Sequence, residues 1–473
     1  HVKEVGEEKG QYISSVATDI NGHFSITVHG FTKQLEISFI GFDINLVTLT
    51  EELSYRIEMI PSRETLDEVV VTGVFTRRAN TFTGAVASVK GEDLRRVGNQ
   101  NVLQSLKNID PSFIQIENLS SGSNPNALPD FTMRGSSTVA SVQGEYASNP
   151  NQPLFILDGF EADLSKILDL DMNLVESLTT LKDATAKAIY GAKAANGVVV
   201  IETKRPESGR TRISYTGSLS VEAPDLTSYQ LANAKEKLEI ERMAGLFSSS
   251  NAVSQIELDK TYNNKLLEVL AGSNTDWLAQ PVRTGVGQKH SFYLEGGDND
   301  MLYGVDLSYN NIEGVLKGSN RTNFSGGITL SYRVNKLSFR NKLLIDNNIS
   351  NESPWGTFSS YSVMNPYSRI HDENGQIIKS YQYTGNKGGV GTYFNPIYNS
   401  TLNTIDKSEY TNINNNFYLE WQLLSNLRLT GRMGFLRRLT SSDVFKPSNH
   451  TSFATVTDEF RKGSYYKSNG KHT

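Results

Sequence analysis

The chain has 473 residues, of which 21% are charged, and a formal net charge of −5. That length calls for two or three domains, and the mild acidity gives no reason to expect nucleic acid as a partner. With no cysteine, disulfides and thiolate metal sites are excluded. The seven histidines are scattered without metal-ligand spacing, and no nucleophile–histidine–acid arrangement stands out, so neither a catalytic residue nor a cofactor is expected.

Residues 1–61 read as a small β domain. Asp19-Ile20-Asn21-Gly22 supplies a tight turn; after it Phe24, Ile26 and Val28 alternate with Ser25 and Thr27. Leu35, Ile37 and Phe39 repeat the period of two before Gly41 breaks it, so about five short strands in a sandwich are expected. Residues 62–76 begin after Pro61 and contain LDEVVVTG, two carboxylates followed by three valines. A free strand of this kind recruits other chains. It is therefore either paired within the protein or kept available for a partner.

Residues 77–210 mix helices and strands. Asp93 to Gly98 and Val102 to Lys107 read as helical turns, and Leu154 to Leu157 as a buried strand closed by Asp158-Gly159. Lys182 to Tyr190 reads as a helix stopped by Gly191, followed by a strand over Gly197 to Ile201. The glycines here do not spell GxxxxGK[ST], so no phosphate loop is expected.

From residue 211 to 473 the texture is alternation. Tyr303, Val305, Leu307 and Tyr309 alternate with small or polar residues, as do Ile328, Leu330, Tyr332 and Val334, and Leu427, Leu429, Met433 and Phe435. About seven such strands are predicted, several long enough to cross a bilayer at a tilt. Short turns near residues 297–301, 335–336 and 425–426 alternate with long connections near 222–287, 312–321 and 348–409. Transmembrane barrels show this asymmetry, with short periplasmic turns and long external loops. A soluble antiparallel sheet with one wet face is the alternative reading of the same pattern.

In order along the chain, DINGHFSI with LEISFIGF, LDEVVVTG with FTGAVASVKGEDL, FTMRGSS, PLFILDGF, LKDATAKAIYGAKAANGVVVIETK, TDWLAQPVRTG, GVLKGSNRTNFSGGITLSY and YSVMNPYSR resemble segments of the SusC-like TonB-dependent transporters of the Bacteroidetes outer membrane. The resemblance implies a mainly β chain: an Ig-like, carboxypeptidase-regulatory-like β-sandwich, an α+β plug, and the N-terminal part of an antiparallel transmembrane barrel of about 22 strands. Family members are about twice as long, so both ends are expected to be incomplete.

The implied activity is TonB-dependent import of an oligosaccharide or oligopeptide, not catalysis, with the extension and plug on the periplasmic side. The alternative is a receptor, adhesin or signalling protein on the same scaffold. Implied partners are a SusD-like surface lipoprotein, TonB with ExbB/ExbD and the proton-motive force, outer-membrane lipid, and a second transporter–lid pair in a dimer. Asp67, Glu68, Val69, Val70, Val71, Thr72 and Gly73 are expected to bind TonB by strand addition; a structural strand joining extension and plug is the alternative. Arg134 is expected to bridge plug and barrel wall. Trp277, Trp355, Tyr361 and Tyr367 are candidates for substrate or lid contact, against plain loop packing.

Overall fold

A computed structural model describes residues 2–5, 12–19, 22–29, 34–38, 45–50, 54–59, 69–71, 76–78, 86–98, 101–116, 123–133, 152–182 and 188–472, except 299, 385–389 and 425. The chain divides into two units, residues 1–71 with 75–83, and residues 72–74 with 84–473.

In the first unit, strands β1 (Val2–Val5), β2 (Tyr12–Val16), β3 (Gln34–Ile37) and β4 (Asn45–Thr48) form one antiparallel sheet in the order β2-β1-β3-β4. Val2, Leu35 and Ile37 are its buried centre. The expected sandwich of five strands is corrected here to a single four-stranded sheet among the described residues. The alternation read in the sequence is nonetheless real. Phe24, Ile26, Val28, Ile57 and Met59 turn to the same core from extended segments that join no ladder. A hairpin of β5 (Val69–Val71) and β6 (Thr76–Arg78) completes the unit.

The second unit begins with a mixed sheet in the order β11-β10-β13-β12-β7. Its strands are β7 (Val86–Lys90), β10 (Leu154–Leu157), β11 (Phe160–Glu161), β12 (Val175–Leu181) and β13 (Val198–Thr203). Strands β8 (Phe113–Ile116) and β9 (Asp130–Met133) pair separately. Helices α1 (Gly91–Val97), α2 (Val102–Ile109) and α3 (Leu164–Leu168) cover the sheet. Leu94, Leu103, Leu106, Ile167, Leu178 and Ile201 form one core with the strands. The helix expected over Lys182–Tyr190 falls in part on residues 183–187, outside the described residues; Ala188–Tyr190 is helical and Gly191 follows in a left-handed conformation.

The rest is a wall of eight antiparallel strands in sequence order: β14 (Gly209–Glu222), β15 (Gly285–Gly297), β16 (Met301–Glu313), β17 (Asn320–Val334), β18 (Leu337–Asn351), β21 (Ile405–Leu424), β22 (Leu427–Lys446) and β23 (Ser464–His472). A small hairpin, β19 (Ser380–Thr384) with β20 (Val390–Phe394), stands in the connection before β21. Alternating short turns and long connections appear as read, and β23 is one strand more than expected.

The distribution of polarity decides between the two readings of this sheet. Along β17, Arg321, Asn323, Ser325 and Thr329 are buried, while Phe324, Ile328, Leu330 and Tyr332 are exposed. A soluble sheet buries its apolar face; here the apolar face is the outer one, as a lipid-facing wall requires. Tyr303, Tyr332, Phe339 and Trp421 ring the outer face toward the short-turn end, and Tyr309 and Phe324 toward the long-loop end. Polar residues interrupt the apolar face, among them Arg437 beside Ile413 and two pairs bonded across the ladder: Asn341 donates to Asn415 (2.6 Å) and Asn347 to Thr411 (3.0 Å). No helix among the described residues is long and apolar enough to cross a membrane, which says nothing about strands.

Ile328 lies midway along the outer face, in register with Val305 and Leu343. Ile328→Arg should therefore destabilise folding into lipid vesicles by about 2–4 kcal/mol, measured by denaturant titration. Thr329→Ser, one residue on and facing inward, should cost much less.

Candidate functional site

Hydrogen bonds at Asn124, Asn126, Asn173 and Thr203 join the plug to the polar face of the wall, and the plug's ion pairs with that face come from one segment, DGFEADLSKILDLD, residues 158–171. Its start is a two-residue hairpin turn: Asp158 and Gly159 both have positive φ (51° and 85°), which the Asp-Gly pair accommodates at little cost. The turn drives Phe160 onto the wall, edge-on to Tyr418 at 5.6 Å. Opposite it stands Gly434, where a β-carbon would come within 2.7 Å of the Phe160 ring, so the wall is glycine where the plug tip presses.

A series of ion pairs runs along the same segment. Lys342 Nζ donates to Asp158 Oδ2 at 2.7 Å and also reaches the Thr203 hydroxyl. Thr203 N–H donates to Asp158 Oδ1 at 2.8 Å, and Tyr418 donates to the Asp158 carbonyl at 2.7 Å. The Arg321 guanidinium grips Asp169 with two parallel bonds, 3.0 and 2.7 Å, and Tyr410 donates to the same carboxylate. Lys289 meets Asp171 at 2.9 Å, Lys166 meets Asp346, and Arg438 meets Asp163 at 2.8 Å. All but the last pair are nearly withdrawn from solvent.

Burial alone would raise the Asp158 carboxyl. The charge and hydrogen bond of Lys342, with the bonds from Thr203, outweigh it and hold Asp158 below the usual carboxylate range. A cleft of about 490 Å³ adjoins the segment, lined by Gln104, Asn124, Asp169, Lys289 and Arg321 among others. None of these pairs was foreseen. Their signal was a run of carboxylates in residues 158–171 set against lone basic residues inside otherwise alternating strands.

The residues singled out from sequence are placed differently. Arg134, Asp67, Glu68, Thr72 and Gly73 lie outside the described residues. Val69, Val70 and Val71 are paired with Arg78, Arg77 and Thr76 in the β5–β6 hairpin, so this part of the segment is internally paired.

The four aromatic residues belong to the long connections, whose backbone includes helices α4 (Ala234–Met243) and α5 (Ala252–Leu270). Trp277, Tyr361 and Tyr367 are largely buried there, and each is held by hydrogen bonds within the loops. Trp277 donates to the Asn365 carbonyl (2.9 Å) and Tyr361 to that of Trp355 (2.9 Å). Tyr367 donates to Glu241 (2.9 Å) and accepts from Lys265 (2.9 Å), and Lys265 also lies over the Phe247 ring at 5.0 Å. Trp355 lines a cavity of about 650 Å³, with Lys317 over its ring at 4.6 Å; Trp277 and Tyr361 line one of about 450 Å³ and Tyr367 one of about 410 Å³. Among the described residues no cluster could hold a metal ion.

Inside the plug, Asp110 ties strand to helix. It accepts from Lys182 (2.8 Å), Thr180 (2.9 Å) and Ser112 (2.7 Å). Burial would raise its carboxyl, but these donors together hold it below the usual range. A depressed folded value stabilises the plug fully above the ordinary carboxylate range, and that stability is lost as pH falls through the folded value. Lys182→Met should therefore flatten the loss of plug stability with acidification below about pH 4, read by urea titration at stepped pH.

A folded plug clamped by buried ion pairs against an inside-out antiparallel wall is the architecture of a plugged transmembrane β-barrel. Residues 78–198 match the TonB-dependent receptor plug domain. The chain is 28% identical over 325 residues to the TonB-dependent receptor SusC of Bacteroides thetaiotaomicron, covering 66% of this chain and 29% of that protein. It is 23% identical over 457 residues to the TonB-dependent receptor P3 of Formosa agariphila, covering 94% and 41%. The RagAB peptide importer in its open-open state superposes with a TM-score of 0.64 at 22% identity, over 81% of this chain and 44% of that one, a likeness of fold. The chain thus carries a TonB-dependent receptor plug and is similar along most of its length to SusC-like TonB-dependent receptors, and it spans less than half the length of the relatives it matches.

Proposed function

We propose that this chain supplies the N-terminal extension, plug and first eight wall strands of an outer-membrane importer with a barrel of about 22 strands. It takes up an oligomeric nutrient in a TonB-dependent manner. The observation that carries the reading is the plug–wall interface: a folded obstruction held to a polar inner wall by Asp158–Lys342 and Asp169–Arg321, bonds that break without covalent chemistry. The wall's outer face meets lipid, the short turns face the periplasm with the plug and extension, and the loop cap faces outward. The segment from Asp67 to Gly73 adds as a strand to TonB, which with ExbB/ExbD transmits the proton-motive force. A SusD-like lipoprotein covers the loop cap and delivers cargo, and two such pairs associate.

Radiolabelled-oligomer uptake by cells carrying the full-length protein tests this. Uptake should cease on deletion of TonB and on collapse of the proton gradient. Uptake unaffected by both would mean passive permeation, and no uptake by any of the strains would leave a receptor that does not transport.

A further inference from the structure

The carboxylates of residues 158–171 neutralise a wall that is itself basic. We infer that the passage opened along these strands, when the plug segment withdraws, selects anionic oligomers bearing carboxylates. The inference rests on the import reading above and assigns its cargo a chemical class.

The registers place Lys289, Arg321, Arg340, Lys342, Arg432 and Arg438 on the inner face of β15, β17, β18 and β22. At the same depth Arg212 and Glu295 bind each other at 2.9 Å; the other inward carboxylates among the described wall residues are Glu222, Asp306, Asp346, Asp406 and Glu420, the last within 3.6 Å of Arg428. The excess of cations is met from the plug. Asp158, Asp169, Asp171 and Asp163 hold Lys342, Arg321, Lys289 and Arg438, while the plug returns one cation, Lys166, to Asp346.

Withdrawal of the segment removes together the four carboxylates that pair with the wall and one ammonium. The wall cannot follow, because its strands are fixed by their ladders. What remains is a basic strip running most of the wall's height, in a narrow space with low-dielectric walls, where a field of one sign raises the local concentration of the opposite ion. The arginines suit a carboxylate in particular: Arg321 already holds one bidentately, and Arg340 lies over the Tyr418 ring at 4.0 Å. A carboxylated cargo thus takes up the donors that the plug releases, so charged groups are not left bare during passage.

The test uses full-length protein in planar bilayers, with the plug withdrawn reversibly by urea, and the reversal potential read in a potassium chloride gradient. Chloride should permeate over potassium by at least about threefold. Arg340→Gln with Arg432→Gln, which leaves the ion pairs named above intact, should lower that ratio. Hexaglutamate and hexagalacturonate, added singly, should block the open channel at lower concentration than maltohexaose; which of the two blocks better tells a peptide source of carboxylates from a glycan source. A preference for potassium, a ratio unchanged in the double variant, or equal block by maltohexaose would overturn the inference. None of those outcomes touches TonB-dependent uptake, whose failure is read separately in cells.

Discussion

Asp158→Ala is expected to loosen the plug by about 3–5 kcal/mol, because it leaves the buried ammonium of Lys342 without its counter-ion. The loss is larger than a surface pair would give, since both side chains are almost excluded from water and Asp158 also accepts from Thr203 and positions the turn that seats Phe160. Lys342→Met placed on top of Asp158→Ala removes the stranded charge, so the double variant should recover much of the loss; a buried pair replaced as a pair is often near neutral. The measurement is urea unfolding of the plug in the full-length protein, together with entry of a large hydrophilic antibiotic into cells. The single variant should unfold earlier and leak, and the double variant should do neither to the same degree. Equal behaviour of the two would mean that the segment is held by packing rather than by charge. The pH sign is fixed as well. The Asp158 carboxyl lies below its ordinary range, so its contribution is full above that range and falls away as pH drops through the folded value.

The parts of the fold legible in sequence were those written in local periods. Alternation is a two-residue signal, and it marked the long strands from residue 211 onward; loop-length parity was independent of it and agreed. Strand β23 escaped because SYYKSNGKH has aromatic residues at one end and no sustained alternation, and its neighbour β22 gives it its place. Helix α5 was legible and missed: Asn251 caps it by accepting from the N–H groups of Val253 and Ser254, and leucines recur at helical spacing after it. The four-stranded extension kept the predicted alternation but not the predicted pairing, which depends on partners far along the chain. The plug–wall pairs show that limit most clearly. Asp158 and Lys342 are 184 positions apart, and Asp169 and Arg321 are 152 apart. Nothing local joins an acidic loop to a lone lysine in a strand; only the closed-up sheet brings them together. The buried aromatic residues illustrate the converse. Composition marks a tryptophan in a long loop but carries no information on which side of the loop it will face.

Val70→Pro is expected to weaken binding of the isolated TonB periplasmic domain by about 3 kcal/mol, roughly 100-fold, and to abolish uptake. Proline removes a ladder donor and clashes with a flanking strand, and strand addition draws its affinity from backbone hydrogen bonds. The resting protein already uses this backbone, since Val70 faces Arg77 across a three-residue pairing. So short a hairpin is marginal by itself. On the proposed reading TonB competes with β6 for one strand rather than finding it free, and the internal pairing is a weak guard against mispairing. Arg77→Pro separates the two roles. It damages β6 while leaving every donor of β5 in place, so binding should be retained or tightened as the competitor is lost. Calorimetry with the purified full-length protein reads both variants. If Val70→Pro binds as well as the wild type, the valines are a structural strand and TonB engages elsewhere. If both proline variants bind weakly, the hairpin as a whole is the recognised element, and strand exchange is not the mechanism.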